Sequence, residues 1–270
     1  MEQTASGPET ATTKPGPMFQ GERRAQVMSR ILERGRVDVA ELAEEFDVTG
    51  ETIRRDLTEL QRQRLVRRVH GGAVPWRGSM LAPRLQVREG RNVDEKRRIA
   101  TAALAEVPER GSLIIDSGST TLHLADLLPR DRELTVITNS VPVIRSLAHT
   151  DRPEVVVLGG LLKRLSQALV DETGIDMLRD ITVDVLFIGC DAMSPERGFT
   201  VPYRAEVAIK RAMMASARRV VMMFDHSKVG NEQLFRFGSI EEVDTIITDT
   251  GVDDATVTLL EQQGPVVIRV

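Results

Sequence analysis

A short polar run at residues 116–121, DSGSTT, stands between an apolar segment at 113–115 and a run with helical spacing at 122–128. Free backbone N–H groups at a helix start, the positive end of the helix dipole and hydroxyl donors are the groups that bind a phosphate. A tightly capped structural turn is the alternative, but three hydroxyls remain beyond the one that a cap needs. We therefore predict an anion site made by Asp116, Ser117, Gly118, Ser119, Thr120 and Thr121.

Further residues that could bind a ligand follow the other apolar runs of the C-terminal part. They are Asn139, Ser140, Gly159, Gly160, Asp191, Asp225 and Lys228. Amide and carboxylate groups could bind sugar hydroxyls, glycines let a ligand approach the backbone, and the lysine could reach an anion or pair with the preceding carboxylate. At 139–140 and at 159–160, an ordinary turn is an equally good interpretation. Glu206 and Lys210, one helical turn apart, indicate by themselves only a surface ion pair of little energetic value.

A second group of chemically capable residues lies between Val48 and Gln63. Ile53, Leu57 and Leu60 have the spacing of one apolar helix face. Thr49 stands at the N-cap position, and an acidic residue in the first turn suits the helix dipole. Threonine and arginine side chains occupy the outer face, as a helix that reads DNA requires. A solvated surface helix is the alternative, and the flanking residues decide between the two.

The charge distribution favours the DNA-reading interpretation. The 270-residue chain has a net charge of -4, yet residues 50–78 contain seven arginines and three acids, so this segment carries +4 and the remainder -8. Such asymmetry indicates a nucleic-acid-binding segment attached to an acidic domain. The single cysteine, Cys190, rules out an intrachain disulfide, and no run is apolar over the length of a membrane span. We expect a cytoplasmic protein.

The elements around this helix predict a winged helix-turn-helix. A helix from Phe19 to Gly35 precedes a second one that Asp38 caps, and a short turn leads into the arginine-rich helix. The segment LVRRVHGGAV at 65–74 predicts one arm of a β-hairpin wing. We expect a disordered tail at 1–17, the DNA-binding domain at 18–74 and a linker at 75–93.

The remainder, residues 94–270, predicts an α/β domain. Seven apolar runs, most of them separated by helical stretches, indicate a largely parallel sheet covered on both faces. They lie at 113–115, 134–137, 155–158, 185–188, 220–224, 245–247 and 266–270. Because ligands bind outside the carboxyl ends of such strands, the polar residues named above belong to one candidate site.

At this point the chain resembles a known family. Arg23, Val27 and Ile31, then TIRRDL at 52–57 after Thr49, and then HGGA at 70–73 look like the N-terminal signature of DeoR-family bacterial transcriptional regulators. The C-terminal part resembles the effector-sensing domain of that family in DSGSTT at 116–121, ITNS at 137–140, LGG at 158–160, 184–189, 198–200, Glu206 with Lys210, DHSK at 225–228 and 247–249. One departure is Val170-Asp171, where family members often carry Gly-Pro, so the identity of the effector does not carry over.

The resemblance implies a C-terminal doubly wound sheet similar to that of sugar-phosphate isomerases, which binds a phosphorylated sugar or a related metabolite. It makes Glu206 and Lys210 candidate effector residues. It implies a homo-oligomeric regulator, more often a repressor in this family, that binds a double-stranded DNA operator. The expected base-reading positions are Gly50, Glu51, Thr52, Arg54 and Arg55, while Thr49, Arg67, Arg68 and His70 are expected to contact the backbone.

Two other classes of function were weighed against this interpretation. A sugar-phosphate isomerase or deaminase fused to a DNA-binding domain could use Asp191 or Glu206 as a base. The chain lacks the Lys/Gly-rich loop and the Asp-Gly-His segment that such enzymes carry. An RNA-binding or scaffold protein conflicts with the helix-turn-helix, because the deep A-form major groove does not admit a recognition helix. The histidines and Cys190 are scattered without ligand-like spacing. We therefore expect no metal site, no cofactor and no catalytic residue.

Overall fold

The computed structural model describes residues 20–62, 65–75 and 85–270. The predicted tail at 1–17 lies outside the described residues, as does the 76–84 part of the predicted linker.

The N-terminal part folds as a winged helix-turn-helix. Its elements are α1 (Gln20–Arg34), β1 (Val37–Asp38), α2 (Val39–Glu45), α3 (Gly50–Arg62), β2 (Val66–Val69) and β3 (Gly72–Pro75). Antiparallel pairing places β3 between β1 and β2. The β2–β3 hairpin confirms the predicted wing, whereas the two-residue strand β1 is too short to be recognised from its sequence.

Local chemistry explains where these elements begin and end. Gly35 adopts a left-handed conformation, with φ of 67°, and ends α1 as predicted. The Asp38 side chain accepts a hydrogen bond from the Ala40 N–H at 2.8 Å and caps α2. An apolar core that includes Val27, Ile31 and Ile53 packs the three helices together.

The C-terminal part is a seven-stranded parallel sheet with helices between its strands. It begins with α4 (Leu85–Glu89), α5 (Val93–Ala103), β4 (Arg110–Ile115), α6 (Ser119–Leu127), β5 (Glu133–Thr138), α7 (Val141–Leu147) and β6 (Glu154–Val157). It continues with β7 (Leu161–Lys163), β8 (Ala168–Val170), α8 (Glu172–Arg179), β9 (Val185–Ile188), β10 (Ala192–Ser194), β11 (Gly198–Val201) and α9 (Arg204–Ala215). It ends with β12 (Val220–Met223), β13 (Phe235–Gly238), β14 (Thr245–Thr248), α10 (Asp254–Glu261) and β15 (Val266–Arg269).

The strand order of the large sheet is β15-β14-β12-β9-β4-β5-β6. All seven strands were predicted as apolar runs, and every neighbouring pair is parallel. Two separate apolar clusters of buried residues cover the two faces of the sheet, which confirms the predicted α/β class.

Two details differ from the sequence prediction. Helix α6 begins at Ser119 rather than at Leu122, so three residues predicted in the loop form the first helical turn. Two small antiparallel sheets, β7–β8 and β10–β11–β13, were not predicted. Their strands of three or four residues are too short to show a period of two clearly.

Candidate ligand pocket and nucleic-acid interface

The pocket lies where the direction of the sheet's winding changes. From β4 the chain adds β5 and β6 on one side, then returns to place β9 on the other side of β4 and continues outward. The crevice between the carboxyl ends of such neighbouring strands is where ligands bind in open parallel sheets. The residues that follow β4 and β9 meet there, and the N–H of Gly189 donates to Asp116 Oδ2 at 3.3 Å.

A buried ion pair forms the floor of this crevice. Lys210 Nζ, from α9, donates to Asp116 Oδ2 and to the carbonyl oxygen of Gly189, the latter at 2.9 Å. Asp116 and Lys210 are almost fully buried. Among the described residues, Asp116 Oδ1 has no hydrogen-bond partner. One oxygen of this buried carboxylate can therefore still accept a hydrogen bond.

The hydroxyls of the 116–121 segment divide into two groups. Thr121 Oγ1 donates to the Asp116 carbonyl at 2.7 Å and to the Gly118 carbonyl at 3.1 Å, so this hydroxyl stabilises the loop itself. The hydroxyls of Ser117, Ser119 and Thr120 make no hydrogen bond to any described residue, and all three residues line the pocket. They stand at the N-terminus of α6, where the backbone N–H groups are unpaired.

Asn139 and Ser140 support this loop from behind. Asn139 Oδ1 accepts from the Ser117 N–H at 3.2 Å, and its Nδ2 donates to the Leu169 carbonyl at 3.1 Å. Ser140 Oγ accepts from the Val143 N–H and caps α7. Both side chains are buried, so their polar groups are used within the protein.

Gly159 and Gly160 lie away from the pocket wall, at the base of the β7–β8 hairpin. A side chain at Gly159 would contact Thr173, and one at Gly160 would collide with Asp171. Gly160 also has a φ of 131°, which favours glycine. These two glycines shape the turn before the hairpin.

Glu206 and Lys210 share the pocket wall but bind different partners. Glu206 Oε1 lies 3.5 Å from Lys163 Nζ, which also sits 3.2 Å above the centre of the Tyr203 ring. Burial raises the pKa of Glu206, and the nearby Asp191 raises it further. Burial also lowers the pKa of Lys163. The i, i+4 spacing on α9 therefore brings two separate ion pairs into one wall.

Asp225 and Lys228 close the opposite side. Asp225 Oδ1 accepts from the Ser227 N–H at 3.0 Å and from Asn92 Nδ2 at 2.7 Å. Burial acts to raise the pKa of Asp225, but Lys228, Ser227 and Asn92 together lower it. Lys228 lines the pocket, and no carboxylate of a described residue lies within ion-pair distance of its amine. It is a cation available to an anionic ligand.

Three residues before β4 complete the site, and the sequence analysis missed all of them. Arg88 in α4 lines the pocket, and its Nη1 lies 2.9 Å from Asp191 Oδ1. Asn92 reaches Asp225, and Lys96 Nζ donates to the carbonyls of Arg88 and Arg91. Lys96 is 2% exposed, and burial lowers its pKa to about 8. One signal was available, because Lys96 continues the buried stripe of 99, 100 and 103 on α5.

The cavity itself is small. Its wall combines the 117–121 segment, 189–191, Glu206, Lys210, Lys228 and Arg88. It encloses about 30 Å³, which is room for about two or three water molecules. Burial raises the pKa of the Cys190 thiol to about 12, so this wall residue stays protonated at neutral pH.

The outer face of α3 forms the candidate nucleic-acid interface. Thr49 Oγ1 accepts from the Thr52 N–H at 3.2 Å, the bond expected of an N-cap. Arg54 and Arg55 are exposed, and Glu51 lies 3.5 Å and 3.8 Å from their guanidinium groups. Gly50 opens the helix beside them. Glu51 therefore lies within ion-pair distance of both arginines at the N-terminal end of α3.

The wing places two arginines and a histidine beside this helix. Arg67, Arg68 and His70 are exposed, and Arg68 Nη1 donates to Thr58 Oγ1 of α3 at 3.2 Å. Gly71 has a φ of 77°, and a side chain at Gly72 would collide with the Val37 carbonyl of the neighbouring strand. Backbone geometry and steric limits therefore explain why both positions of HGGA are glycine, without any contact to DNA.

Asp56, within the TIRRDL segment, faces inward rather than toward DNA. It is fully buried, and its carboxylate lies 2.7 Å from Arg23 Nε and 2.9 Å from Arg24 Nε of α1. This contact fixes α3 against α1. The sequence alone does not predict this contact, since the partners are more than 30 positions apart.

Two protein-family models match separate parts of the chain. The model of the DeoR-like helix-turn-helix domain matches residues 23–76, and that of the DeoR C-terminal sensor domain matches residues 91–250. The chain is 33% identical to the HTH-type transcriptional regulator GlpR of Haloferax volcanii, over 93% of this chain and 98% of that protein. It is 31% identical to the glycerol-3-phosphate regulon repressor of Escherichia coli, over 86% of this chain and 92% of that protein.

Among solved structures, ribose 5-phosphate isomerase A from Neisseria gonorrhoeae is 21% identical, with a TM-score of 0.37, over 50% of this chain and 53% of that one. None of the helices within the described residues combines the length and the apolar character needed to cross a membrane.

Proposed function

Because the chain belongs to the DeoR family of transcriptional regulators, we propose that it represses a carbohydrate-metabolism operon under the control of a phosphorylated sugar or related metabolite. It binds its operator as a homo-oligomer in the cytoplasm. The relatives named as repressors, including that of the glycerol-3-phosphate regulon, support this direction of control. The family assignment also favours a regulator over the enzyme alternative.

One observation supports a phosphorylated ligand as the effector. Three hydroxyls without a protein partner stand at the N-terminus of α6 and face the same cavity as Lys228, whose amine has no carboxylate partner among the described residues. Hydroxyl donors, free helix N–H groups and an available ammonium suit a phosphate. The carboxylates of Asp191 and Glu206 in the same wall suit the hydroxyls of a sugar. A phosphorylated polyol or sugar matches both halves of the pocket.

In the DNA-binding half, we assign α3 to the major groove. Thr52, Arg54 and Arg55 occupy its N-terminal outer face and are the base-reading candidates, with Gly50 and Glu51 beside them. We assign Thr49, Arg67, Arg68 and His70 to the phosphate backbone.

A thermal-shift screen tests the effector assignment. The full chain is melted with C3 to C6 sugar phosphates, with the same sugars without phosphate, and with inorganic phosphate. We expect stabilisation by at least one sugar phosphate, weaker stabilisation by phosphate, and none by the free sugar, because a ligand that binds only the folded state raises its stability. Equal responses to a sugar and its phosphate would contradict the anion site.

Thr120→Tyr then localises the response. A bulky side chain at this buried position in the first turn of α6 fills the cavity, so we expect the effector response to disappear while operator affinity is retained. Thr258→Tyr, at an exposed position of α10, is the matched control. If the effector still releases Thr120→Tyr from the operator, the effector site lies elsewhere.

A further inference from the structure

Among the described residues that line the pocket, only Arg88 precedes β4. It lies in α4, directly after the 76–84 stretch, and reaches across more than 100 positions to Asp191. The two side chains are each 12% exposed, and their ion pair measures 2.9 Å. Arg88 Nε is buried and has no hydrogen-bond partner among the described residues. The guanidinium of this pocket residue therefore retains one unused donor.

The enclosed part of the cavity is smaller than the ligand proposed for it. A space of about 30 Å³ holds a few water molecules, so a sugar phosphate must either extend through the open mouth of the pocket or displace a wall residue. The Asp116–Lys210 pair is tied to the backbone of Gly189, so it belongs to the rigid floor. The Arg88–Asp191 pair differs, because among the described residues the Arg88 guanidinium donates only to the Asp191 side chain. The backbone of α4 is held separately, by Lys96 and by the Leu85 N–H, which donates to the Leu165 carbonyl at 2.8 Å.

We propose that Arg88 is an effector-binding residue, and that a bound phosphate takes its guanidinium from Asp191. This proposal rests on the proposed function of the pocket. Arginine binds phosphate through two parallel N–H donors, and Arg88 has the unused Nε donor that such a contact needs. The exchange opens the pocket and shifts α4.

The movement of α4 has a route to the DNA-binding domain. Lys96 Nζ donates to the carbonyls of both Arg88 and Arg91, so a shift of Arg88 is passed on to Arg91. Helix α4 contacts α1, and the Arg91 side chain packs against Gly35 at the end of α1. Two arginines of α1 bind Asp56 of α3. A displacement at the pocket thus reaches the helix that reads DNA through packed elements.

Two substitutions with opposite expected signs test the proposal. Arg88→Gln removes the guanidinium, and we expect the affinity for inorganic phosphate and glycerol 3-phosphate to fall about 10- to 100-fold, as for loss of a charged hydrogen-bonded contact. Asp191→Asn removes the competitor and a negative charge, so we expect inorganic phosphate to bind at least about threefold more tightly. Arg98→Gln, which removes an exposed arginine of α5, is the control.

Affinities are measured by calorimetry on the full chain. In parallel, operator affinity is measured with and without each probe by fluorescence anisotropy, on DNA that the wild-type protein selects from a random library. In Arg88→Gln, operator affinity should lose most of its response to the probes, whereas Arg98→Gln should keep the full response.

The outcomes separate the two proposals. If both Arg88→Gln and Asp191→Asn weaken phosphate binding, the pair is only a structural contact and the inference is wrong. If Arg88→Gln binds phosphate within twofold of the wild type, the inference is also wrong, although the pocket assignment stands. If the wild type binds neither inorganic phosphate nor glycerol 3-phosphate nor any sugar phosphate of the screen, the proposed function itself fails.

Discussion

Asp56→Asn should destabilise the DNA-binding domain strongly, although Asp56 lies within the segment that reads DNA. The carboxylate has no exposed surface and pairs with Arg23 and Arg24 at 2.7 Å and 2.9 Å. Asparagine keeps the shape but removes the negative charge that the guanidinium groups of Arg23 and Arg24 contact. Removing one partner of a buried ion pair costs about 3–5 kcal/mol. Because the Arg24 side chain is 27% exposed and water partly solvates it, the lower end of this range applies here.

That loss is large for so small a domain. At about 0.05–0.15 kcal/mol per residue, a domain of roughly 55 residues has a total stability of about 3–8 kcal/mol. Since about 1 kcal/mol shifts the melting temperature of such a domain by about 4–8 °C, a loss near 3 kcal/mol corresponds to on the order of 10–20 °C.

Calorimetry of the full chain measures this shift. We expect the transition of the DNA-binding domain to move down while that of the α/β domain stays, and operator binding to fail at a correspondingly lower temperature. Asp47→Asn is the matched control, since Asp47 is exposed and its φ of 50° suits asparagine equally well. If Asp56→Asn melts within a few degrees of Asp47→Asn but loses operator selectivity, Asp56 acts on DNA and the structural explanation is wrong.

Three further predictions concern the two sites. Arg55→Ala should lower specific operator affinity by about 1–3 kcal/mol and relax base preference, whereas Arg62→Ala, at the far end of α3, should not change base preference; competition binding with mutated operators measures both. Glu51→Gln removes the carboxylate beside Arg54 and Arg55, so we expect non-specific DNA to bind several-fold more tightly, and unchanged binding at low salt would contradict this role. Because burial raises the pKa of Glu206, protonation of this carboxyl as the pH falls toward that raised pKa should strengthen sulfate binding; Glu206→Gln should bind sulfate tightly already at neutral pH, and an equally steep pH dependence in that variant would assign the effect to another group.

The large sheet could be predicted from the sequence because its five central strands are largely buried. Each of the seven strands contains at least two consecutive apolar residues, and such runs stand out from amphipathic helices. The rule that ligands bind at the carboxyl ends of strands then brought the 116–121 segment, Asp191 and Lys228 into one predicted site. In the structure, residues 117–121, Asp191 and Lys228 line one pocket.

The partner of each polar group could not be predicted. The local sequence around Asn139 does not show whether its amide binds a sugar or supports a loop. The Leu169 carbonyl, which accepts a hydrogen bond from this amide, becomes its partner only in the folded chain. Thr121 similarly uses its hydroxyl on its own loop. The contacts of Arg88 and Asn92 span more than 100 positions, so neither periodicity nor spacing reveals them. Local patterns identify which residues are polar and buried, while long-range packing determines which of their groups remain available.

The charge inventory of the pocket explains why ligand binding can carry a signal. The lining cations Arg88 and Lys210 are paired with Asp191 and Asp116, and Lys163 pairs with the lining residue Glu206. Among the described residues, no carboxylate lies within ion-pair distance of the third lining cation, Lys228. A sugar phosphate brings close to two negative charges, so one unmatched ammonium does not neutralise it. The second charge must be met by a cation that already has a partner. Exchange of that partner couples binding to a change of structure, and only such differential contacts let a ligand shift a conformational equilibrium. A coupling of about 1–3 kcal/mol is the usual range for this kind of linkage, enough to change operator affinity by about 5- to 150-fold.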